Sequence, residues 1–461
     1  MFIDVFAGHY EGDFRYFGTR RRVEFREAAT GLAHGRMMVT LKGSALIVCL
    51  WTTVVNGLPG GRLFKPGTTI PGETVMNFCF LSPHFPPNYV HFASHLNRLG
   101  AKVYGVADAS WDSLDARLKE SLTEYYRVED MEDYDQLVRA VGYITFKAGK
   151  VDRLESFNEY WLETEAALRT DFNIFGIRRD SIERVKRKSV MKAVFQKAGV
   201  KVAPGVLVES LAGCRDFIDQ VGYPVIVKPD IGVGAAKTYK IHDDEALAAF
   251  FADKPEATYF MEEFVSGQIV SYDGLTDAGG QVVFCASHVF SQGIMETVND
   301  DRDIYYYSLR ELPADLVAAG EKLVKAFDIK ERFFHIEFFR TPPQELVALE
   351  VNMRPPGGLT TDMFNYANDI DIYREYANVV VKGRFETTVT RPWHCAYVGQ
   401  KFSKRYKHSH AEILHVLGAH VVHHQPISGA FASALGNYGF LVRAADVDQI
   451  LQMAAFIQEK E

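Results

Sequence analysis

The sequence predicts a multidomain protein that combines α/β and α+β architecture, and two stretches of the chain carry this prediction. Residues 76–108 contain a short apolar strand, a helix that ends at Gly100 and a second strand, which is the βαβ opening of a parallel sheet. From about residue 179, short apolar runs alternate with glycine turns, as in the antiparallel hairpins of an α+β domain. A length of 461 residues is sufficient for two or three such domains.

Composition and charge narrow the class of protein. The chain is 47% hydrophobic and 24% charged, which is typical of a globular protein. Its formal net charge of -8 and pI near 6.0 lack the basic footprint of nucleic-acid binding. No apolar run reaches the roughly 18 residues of a membrane span, and the five cysteines are scattered without CxxC spacing. We therefore expect a cytoplasmic protein with no nucleic-acid or membrane partner.

The predicted domain boundaries follow changes in the pattern of the chain. Residues 1–75 hold an arginine-rich run and a Pro/Gly-rich connector, so their place in the native protein is left open. Because the βαβ unit begins at Met76, one hypothesis places the functional start there. The predicted domains are then residues 76–178, 179–385 and 386–461, the last being a small C-terminal α+β region.

Individual elements follow from apolar periodicity and from glycine stops. We predict strands at 78–81, 103–106 and 142–146, and helices at 89–99, 111–124, 133–139, 155–170 and 182–198. The last of these helices is basic and amphipathic, and it ends at Gly199.

The segment VALEVNMRPPGG, residues 347–358, places polar residues in a run that otherwise has the pattern of a buried strand. Glu350, Asn352 and Arg354 alternate with apolar residues, so their side chains are expected on one face. The two prolines and two glycines that follow indicate a close approach of the backbone to another group.

The preceding segment ERFFHIEFFR, joined through a Pro-containing turn, predicts a hairpin. If Arg340 faces Val347, then Glu337 faces Glu350, and facing carboxylates repel unless a cation lies between them or one is protonated. Two carboxylates and the amide oxygen of Asn352 are a donor set suited to magnesium. A register slip that leaves both acids in water is the alternative.

A lysine and glycine loop follows an earlier apolar strand in YPVIVKPDIGVGAAKTYKI. The strand ends at Lys228, and Gly232, Gly234 and Lys237 follow it. Glycines let backbone amides fold over phosphates, and lysines neutralise their charge. The spacing is neither GxxxxGK(S/T) nor GxGxxG, so an ordinary hairpin loop is the alternative.

The segment TYFMEEFVSG carries Glu262 and Glu263 at the end of an apolar run. Such a segment can bind an adenine through its backbone while its acids contact the amino group or the ribose. Solvated acids at the end of a strand are the alternative.

Taken in order, these features resemble the ATP-grasp superfamily. They are Lys188 on the basic helix, VKP with its glycine loop, MEEF, HIEF and EVNMRPPGG, and the resemblance covers roughly residues 76–461. It implies a pre-ATP-grasp βαβ domain, an ATP-grasp fold of two α+β subdomains, and the small C-terminal region. Biotin carboxylase and the large chain of carbamoyl-phosphate synthetase have similar architectures.

The resemblance also implies roles for individual residues. ATP phosphates are expected to contact Lys188 and Lys228 under a lid of Gly232, Gly234 and Lys237. Adenine is expected to contact Glu262, Glu263, Phe264 and Val265. Magnesium, with manganese as an alternative, is expected to bind Glu337, Glu350 and Asn352. Arg354 is expected to stabilise the transferred phosphate and, with Lys228, to be catalytic. The acid that often contacts ribose is replaced by Ile269, which leaves Glu263, Gln268 or Asp273 as substitutes.

The activity implied by the resemblance is an ADP-forming carboxylate–amine ligase. The continuation PPGGLTTDMF is unlike the IQVEH-type segment of biotin carboxylase and is similar to amino-acid and dipeptide ligases. Arg310, Gly357 and Gly358, and the aromatic run 305–307, are candidates for substrate contacts. Expected partners are a small-molecule carboxylate and an amine, and a homodimer is one expected assembly. A carboxyphosphate-forming carboxylase and a non-catalytic ATP-binding module are the alternatives.

Overall fold

The computed structural model describes residues 75–232 and 237–461, and four strands before them; for Ile294 and Glu296 only the backbone is described. The chain forms two compact units, Met1–Glu73 and Thr74–Glu461. In the first unit, β1 (Gly12–Tyr16) pairs with β2 (Thr19–Val23), and β3 (Met37–Leu41) pairs with β4 (Ser44–Val48), both antiparallel. The status of residues 1–75 and the hypothesis of a start at Met76 depend on residues that lie largely outside the described ones.

The second unit contains the remaining elements. Its strands are β5 (Asn77–Leu81), β6 (Lys102–Ala107), β7 (Glu124–Arg127), β8 (Arg153–Glu155), β9 (Gly205–Leu207), β10 (Val225–Pro229), β11 (Tyr239–Ile241), β12 (Tyr259–Glu263), β13 (Gln268–Thr276), β14 (Val282–Phe290), β15 (Tyr305–Ser308), β16 (Phe333–Thr341), β17 (Glu345–Asn352), β18 (His394–Gln400), β19 (Val421–Pro426) and β20 (Tyr438–Ala444). Its helices are α1 (Val90–Arg98), α2 (Ala116–Ser121), α3 (Tyr134–Ala148), α4 (Leu162–Asp171), α5 (Arg179–Lys186), α6 (Lys188–Lys197), α7 (Leu211–Val221), α8 (Asp244–Asp253), α9 (Ile294–Asn299), α10 (Ala314–Ala326), α11 (Thr360–Asn368), α12 (Ile372–Lys382), α13 (His410–Leu417), α14 (Ala432–Leu435) and α15 (Val447–Ile457).

The N-terminal part of this unit is a parallel sheet of strand order β7-β6-β5-β8. The predicted βαβ opening is therefore observed as β5, α1 and β6. The strand predicted at 142–146 is wrong, because these residues belong to α3. Leu137, Ala140, Val141 and Ile144 are the buried residues of α3, and their spacing is helical. A short apolar run does not distinguish a strand from one buried face of a helix.

Two antiparallel sheets form the rest of the unit, so the mixed α/β and α+β fold class is confirmed. The smaller sheet has the order β11-β10-β12-β9, and the larger has the order β17-β16-β13-β14-β15-β18-β20-β19. The strands β18, β19 and β20 of the predicted C-terminal region extend the larger sheet through the pairing of β15 with β18. Helices α6 and α10 pack on the larger sheet through Phe195, Leu316 and Leu323.

The basic helix predicted at 182–198 is wrong as a single element, because it is two helices that meet at Arg187. The backbone of Arg187 is extended, with φ −93° and ψ 116°. Asp230 holds the break: its carbonyl accepts from the amide of Lys188 at 2.9 Å, and its Oδ1 accepts from the amide of Ser189 at 2.8 Å. The residue that accepts hydrogen bonds from the first amides of α6 therefore comes from a loop distant in sequence. The apolar periodicity of the segment does not reveal this partner.

A buried ionic cluster of Glu155, Glu165, Arg169 and Arg332 joins the parallel sheet and α4 to the larger sheet. Arg332 Nη1 lies 2.7 Å from Glu155 Oε2, and its Nη2 lies 2.8 Å from Glu165 Oε2. Arg169 Nη2 lies 2.8 Å from the same Glu165 oxygen. Arg332 Nε also donates to the backbone carbonyl of Met353 at 2.5 Å, just after β17.

Among the residues that the structure describes, no helix combines the length and the hydropathy that a membrane span needs.

We predict that Arg332→Met lowers the free energy of unfolding by about 3–5 kcal/mol, because it leaves two buried carboxylates with Arg169 as their one guanidinium and removes the donor to Met353. Urea unfolding at neutral pH measures the change. The exposed Arg384, paired with Glu386 at 2.9 Å, provides the control: Arg384→Met should cost less than about 1 kcal/mol. Equal losses for the two variants would contradict a special role for the buried cluster.

Candidate active site

One cavity of about 850 Å³ collects most of the residues singled out in the sequence. The smaller sheet, the larger sheet and the loop before α4 all contribute to its wall. Predicted residues that line it are Lys188, Lys228, Gly232, Glu262, Glu263, Phe264, Val265, Glu337, Glu350, Asn352, Arg354 and Gly357. The topology therefore brings five separate segments of the chain to one place.

Glu262 lies between two lysines at one end of the cavity. Its Oε1 is 2.5 Å from Lys228 Nζ, and its Oε2 is 2.9 Å from Lys192 Nζ. Burial raises the pKa of Glu262, but the two ammonium groups outweigh burial and lower it to about 2. Burial lowers the pKa of Lys192, and Glu262 opposes that effect. Sequence reasoning missed Lys192, although its position four residues after Lys188 places both on one face of α6.

Glu337 and Glu350 occupy directly paired positions of β16 and β17, as predicted, and His335 pairs with Asn352. Pairing of Arg340 with Val347 is wrong, because Arg340 pairs with Leu346. The register shifts by one residue between Glu337 and Phe338, and this β-bulge restores the predicted pairing at the site end.

The residues around the two carboxylates fit a magnesium ion. Lys188 Nζ lies 3.5 Å from Glu350 Oε1 and donates to the carbonyl of Gly232 at 3.3 Å. Burial raises the pKa of Glu350, but Lys188, Lys228 and Arg354 lower it overall, so the group is anionic. In the described ranges no cluster of three or more His, Cys, Asp or Glu has a metal-binding arrangement. Two carboxylates and an amide oxygen are nevertheless sufficient for magnesium, which keeps water and phosphate oxygens in its remaining positions.

A second layer of charge orients Glu337. The buried Asp273 accepts a hydrogen bond from His335 Nδ1, and His335 Nε2 lies 3.6 Å from Glu337 Oε1. Burial lowers the pKa of His335, but Asp273 outweighs burial and raises it to about 10. Asp273 Oδ2 lies 2.7 Å from Nδ1 of a second histidine, His288, which lines the cavity. Sequence reasoning did not find this layer.

Arg354 lies next to an acid from the loop before α4. Its Nε is 3.5 Å from Glu159 Oε2, while Glu159 Oε1 is 3.0 Å from Lys186 Nζ. Glu159 also lines the cavity. Nothing in the local sequence indicated that Glu159 would meet Arg354, because almost 200 residues separate them.

The structure does not bring every candidate residue to the cavity. Arg310 donates to the backbone carbonyls of Arg391 at 3.2 Å and Ala445 at 2.8 Å, away from the lining residues. Lys237 is exposed with a φ of +59° and is not part of the described lining, and Gly234 lies outside the described residues. Gly358 is buried and is not among the described lining residues.

The candidates for ribose contact differ in exposure. Glu263 and Gln268 line the cavity beside Ile269. Asp273 is fully buried and holds His288 and His335, so its oxygens are already occupied. In the run 305–307, Tyr306 lines the cavity, and Tyr305 and Tyr307 pack against the cluster around Ile413 and Phe440.

Comparisons with known proteins agree with this geometry. The family model described as "Carbamoyl-phosphate synthase L chain, ATP binding domain" matches residues 187–294. The L-arginine-specific L-amino acid ligase of Bacillus subtilis is 23% identical over 265 residues, which are 56% of this chain and 64% of the relative. The carbamoyl phosphate synthase large chain of Methanothermobacter thermautotrophicus is 27% identical over 132 residues, 28% of this chain and 12% of that one. The chain thus spans less than two thirds of the length of either relative.

A solved structure extends the likeness in fold. The L-amino acid ligase of Bacillus licheniformis superposes with a TM-score of 0.64 at 15% identity, over 83% of this chain and 96% of the other. The ordered motifs, the two antiparallel sheets that enclose one cavity, and these matches agree with one another. Residues 187–294 thus match the ATP-binding domain of carbamoyl-phosphate synthase large chains, and they lie within a fold similar to that of an L-amino acid ligase.

Proposed function

We propose that the chain is an ATP-dependent ligase that activates a carboxylate as an acyl-phosphate, joins it to an amine, and releases ADP and phosphate. The observation that carries this proposal is the facing pair Glu337 and Glu350 in one cavity with Lys228 and Arg354. The similarity to two L-amino acid ligases supports amino acids or related compounds as the substrates. Arginine specificity is a property of the Bacillus subtilis relative and is not part of the proposal.

The proposed reaction has two steps that need no protein nucleophile. A carboxylate oxygen of the first substrate attacks the γ-phosphorus of ATP, and ADP leaves. The amine of the second substrate then attacks the acyl carbon, loses a proton, and phosphate leaves. Such chemistry depends on positioning and on neutralisation of charge, and the cavity supplies both through Lys188, Lys228 and Arg354.

Each lining group has a proposed part in these steps. Lys188 and Lys228 hold the ATP phosphates, and Arg354 pairs with the transferred phosphoryl group. Glu337, Glu350 and Asn352 are the residues that would hold magnesium, with manganese as an alternative; when bound, the ion neutralises phosphate oxygens.

The nucleotide base and ribose occupy the part of the proposed ATP site that is lined by the end of β12 and the start of β13. The segment Glu262–Val265 borders the adenine, and Glu263 and Gln268 are the groups in reach of the ribose. Lys192 shares the carboxylate of Glu262 with Lys228. Because Glu262 does not pair with Lys228 alone, Lys228 remains available to phosphate.

The first test is release of phosphate and ADP from ATP and magnesium with a panel of amino-acid and amine pairs. We expect release that depends on both a carboxylate and an amine, with a new C–N bond detected by mass spectrometry. Release that requires bicarbonate and no amine would favour the carboxylase alternative. Nucleotide binding without turnover for every pair would contradict the ligase proposal.

A second prediction concerns the carboxylate pair. Glu350→Gln should lower kcat by about 100-fold or more, because the residues that would hold magnesium lose one of their two carboxylates. The matched control is Glu345→Gln, on the same strand, where the acid is exposed and pairs with Lys201 at 2.5 Å. Equal activity of the two variants, with equal melting temperatures, would refute the metal assignment.

A third prediction concerns Lys192, which sequence reasoning missed. Glu262 contacts both Lys192 and Lys228. In Lys192→Met, Glu262 keeps only its contact with Lys228, and the stronger pairing withdraws Lys228 from phosphate. The KM for ATP should rise on the order of tenfold, or about 1.4 kcal/mol. Lys197→Met, at the exposed end of the same helix, is the control. An unchanged KM for ATP in both variants would remove Lys192 from the nucleotide site.

A further inference from the structure

An apolar wall forms one part of the cavity lining. We define the apolar wall as Phe290, Met295, Val298, Tyr306, Phe431 and Leu435, all of which line the cavity. Its members come from the end of β14, from α9, from β15 and from the segment that contains α14. Among the described lining residues of these segments, none is Asp, Glu, Lys or Arg.

Aromatic stacking supports the wall at two places. The ring of Phe290 stacks on Tyr306 with centroids 5.0 Å apart, and Tyr306 stacks on Tyr397 at 5.2 Å. Phe431 stacks on Phe85, in the loop after β5, at 5.5 Å. The wall is therefore built on the larger sheet at one side and supported by the N-terminal parallel-sheet region at the other.

Leu435 is held in place by contacts with the larger sheet. Its backbone carbonyl accepts a hydrogen bond from Tyr397 Oη at 2.8 Å. Its side chain lies directly over Gly358: a Cβ at Gly358 would be 2.6 Å from Leu435 Cδ1, and the φ of Gly358 is +66°. A glycine at this position thus leaves room for Leu435 in the wall.

The wall adjoins the residues that follow Arg354. The hydroxyls of Tyr306 and Thr360 are hydrogen bonded at 2.9 Å, and Thr360 Oγ1 donates to the carbonyl of Gly357 at 2.8 Å. Because the hydroxyl of Tyr306 is hydrogen bonded to Thr360, Tyr306 contributes its aromatic ring to the apolar wall. The wall and the segment from Arg354 to Gly357 therefore line neighbouring parts of the same cavity.

We propose that the apolar wall binds the side chain of one of the two joined amino acids and selects a bulky apolar one, such as phenylalanine, leucine or methionine. This inference rests on the proposed ligase function. Apolar and aromatic contacts stabilise such a side chain by removing it from water. A charged side chain at the wall loses its hydration and meets no described partner of opposite charge there, so it is rejected.

The test compares phosphate release with a set of L-amino acids, each supplied with ATP, magnesium and L-alanine. Phenylalanine, leucine and methionine should give a kcat/KM about 100-fold higher than aspartate, glutamate, lysine and arginine. Equal or faster release with any of the four charged amino acids overturns the inference and leaves the ligase function standing. Absence of release with every amino acid, while ATP still binds, overturns the ligase function and this inference with it.

A charge placed in the wall gives the sharper test. Phe431→Glu should raise the kcat/KM for lysine and arginine relative to phenylalanine by about tenfold or more, because the new carboxylate pairs with their cationic side chains. Met295→Glu is the second variant, should Phe431→Glu fold poorly, and should shift the preference in the same direction. Phe402→Glu, at a phenylalanine that is 75% exposed and outside the lining, is the control.

Two readouts separate selection from general damage. The KM for ATP should stay the same in Phe431→Glu, Met295→Glu and Phe402→Glu, and isothermal titration with phenylalanine should show weaker binding only in the first two. An unchanged preference in folded Phe431→Glu and Met295→Glu overturns the inference.

Discussion

The guanidinium of Arg332 is the interaction on which the geometry of the cavity depends. It lies between the carboxylates of Glu155 and Glu165, from the parallel-sheet part of the chain, and also donates to the carbonyl of Met353. Met353 stands between Asn352 and Arg354, so the same side chain that joins the two parts also fixes the end of β17. A buried cation of this kind needs all of its partners, because each unpaired charge in the interior is costly. The position of the proposed metal and phosphate site therefore depends on satisfying this cluster.

Opposite charges alternate through the cavity itself. Glu262 lies between Lys192 and Lys228, Lys188 approaches Glu350, and Asp273 neutralises the imidazolium of His335. This pairing allows several charged groups to be buried close together in a medium of low dielectric constant. It also suits the cavity to a ligand that carries both phosphate charge and a divalent cation, since such a ligand can exchange partners with these pairs. The apolar wall at the far side has the opposite character and suits a neutral side chain.

The local sequence pattern was sufficient to predict the parts of the fold that form between segments adjacent in the chain. The βαβ opening and the hairpin of β16 and β17 follow from apolar periodicity and turn residues. The hairpin also shows the limit of such reasoning, because the register at its turn was wrong and a bulge near Leu349 restored the predicted pair of Glu337 and Glu350. The break at Arg187 was missed because its cause is Asp230, and the strand at 142–146 was wrong because a buried helical face has the same composition as a short strand.

The sequence by itself determined which segments carry the lysine, glycine and carboxylate residues that the proposed phosphate and metal sites need, because residue type is a local property of the chain. Only the tertiary structure decided which of them meet. Lys192 and Glu159 joined the cavity through contacts with Glu262 and Arg354, while Arg310 was directed to backbone carbonyls elsewhere. The apolar wall needed residues that lie more than 100 positions apart, brought together by the larger sheet. Strand pairing and burial act between distant segments, and a pattern read along one segment contains no information about the partner that it will meet.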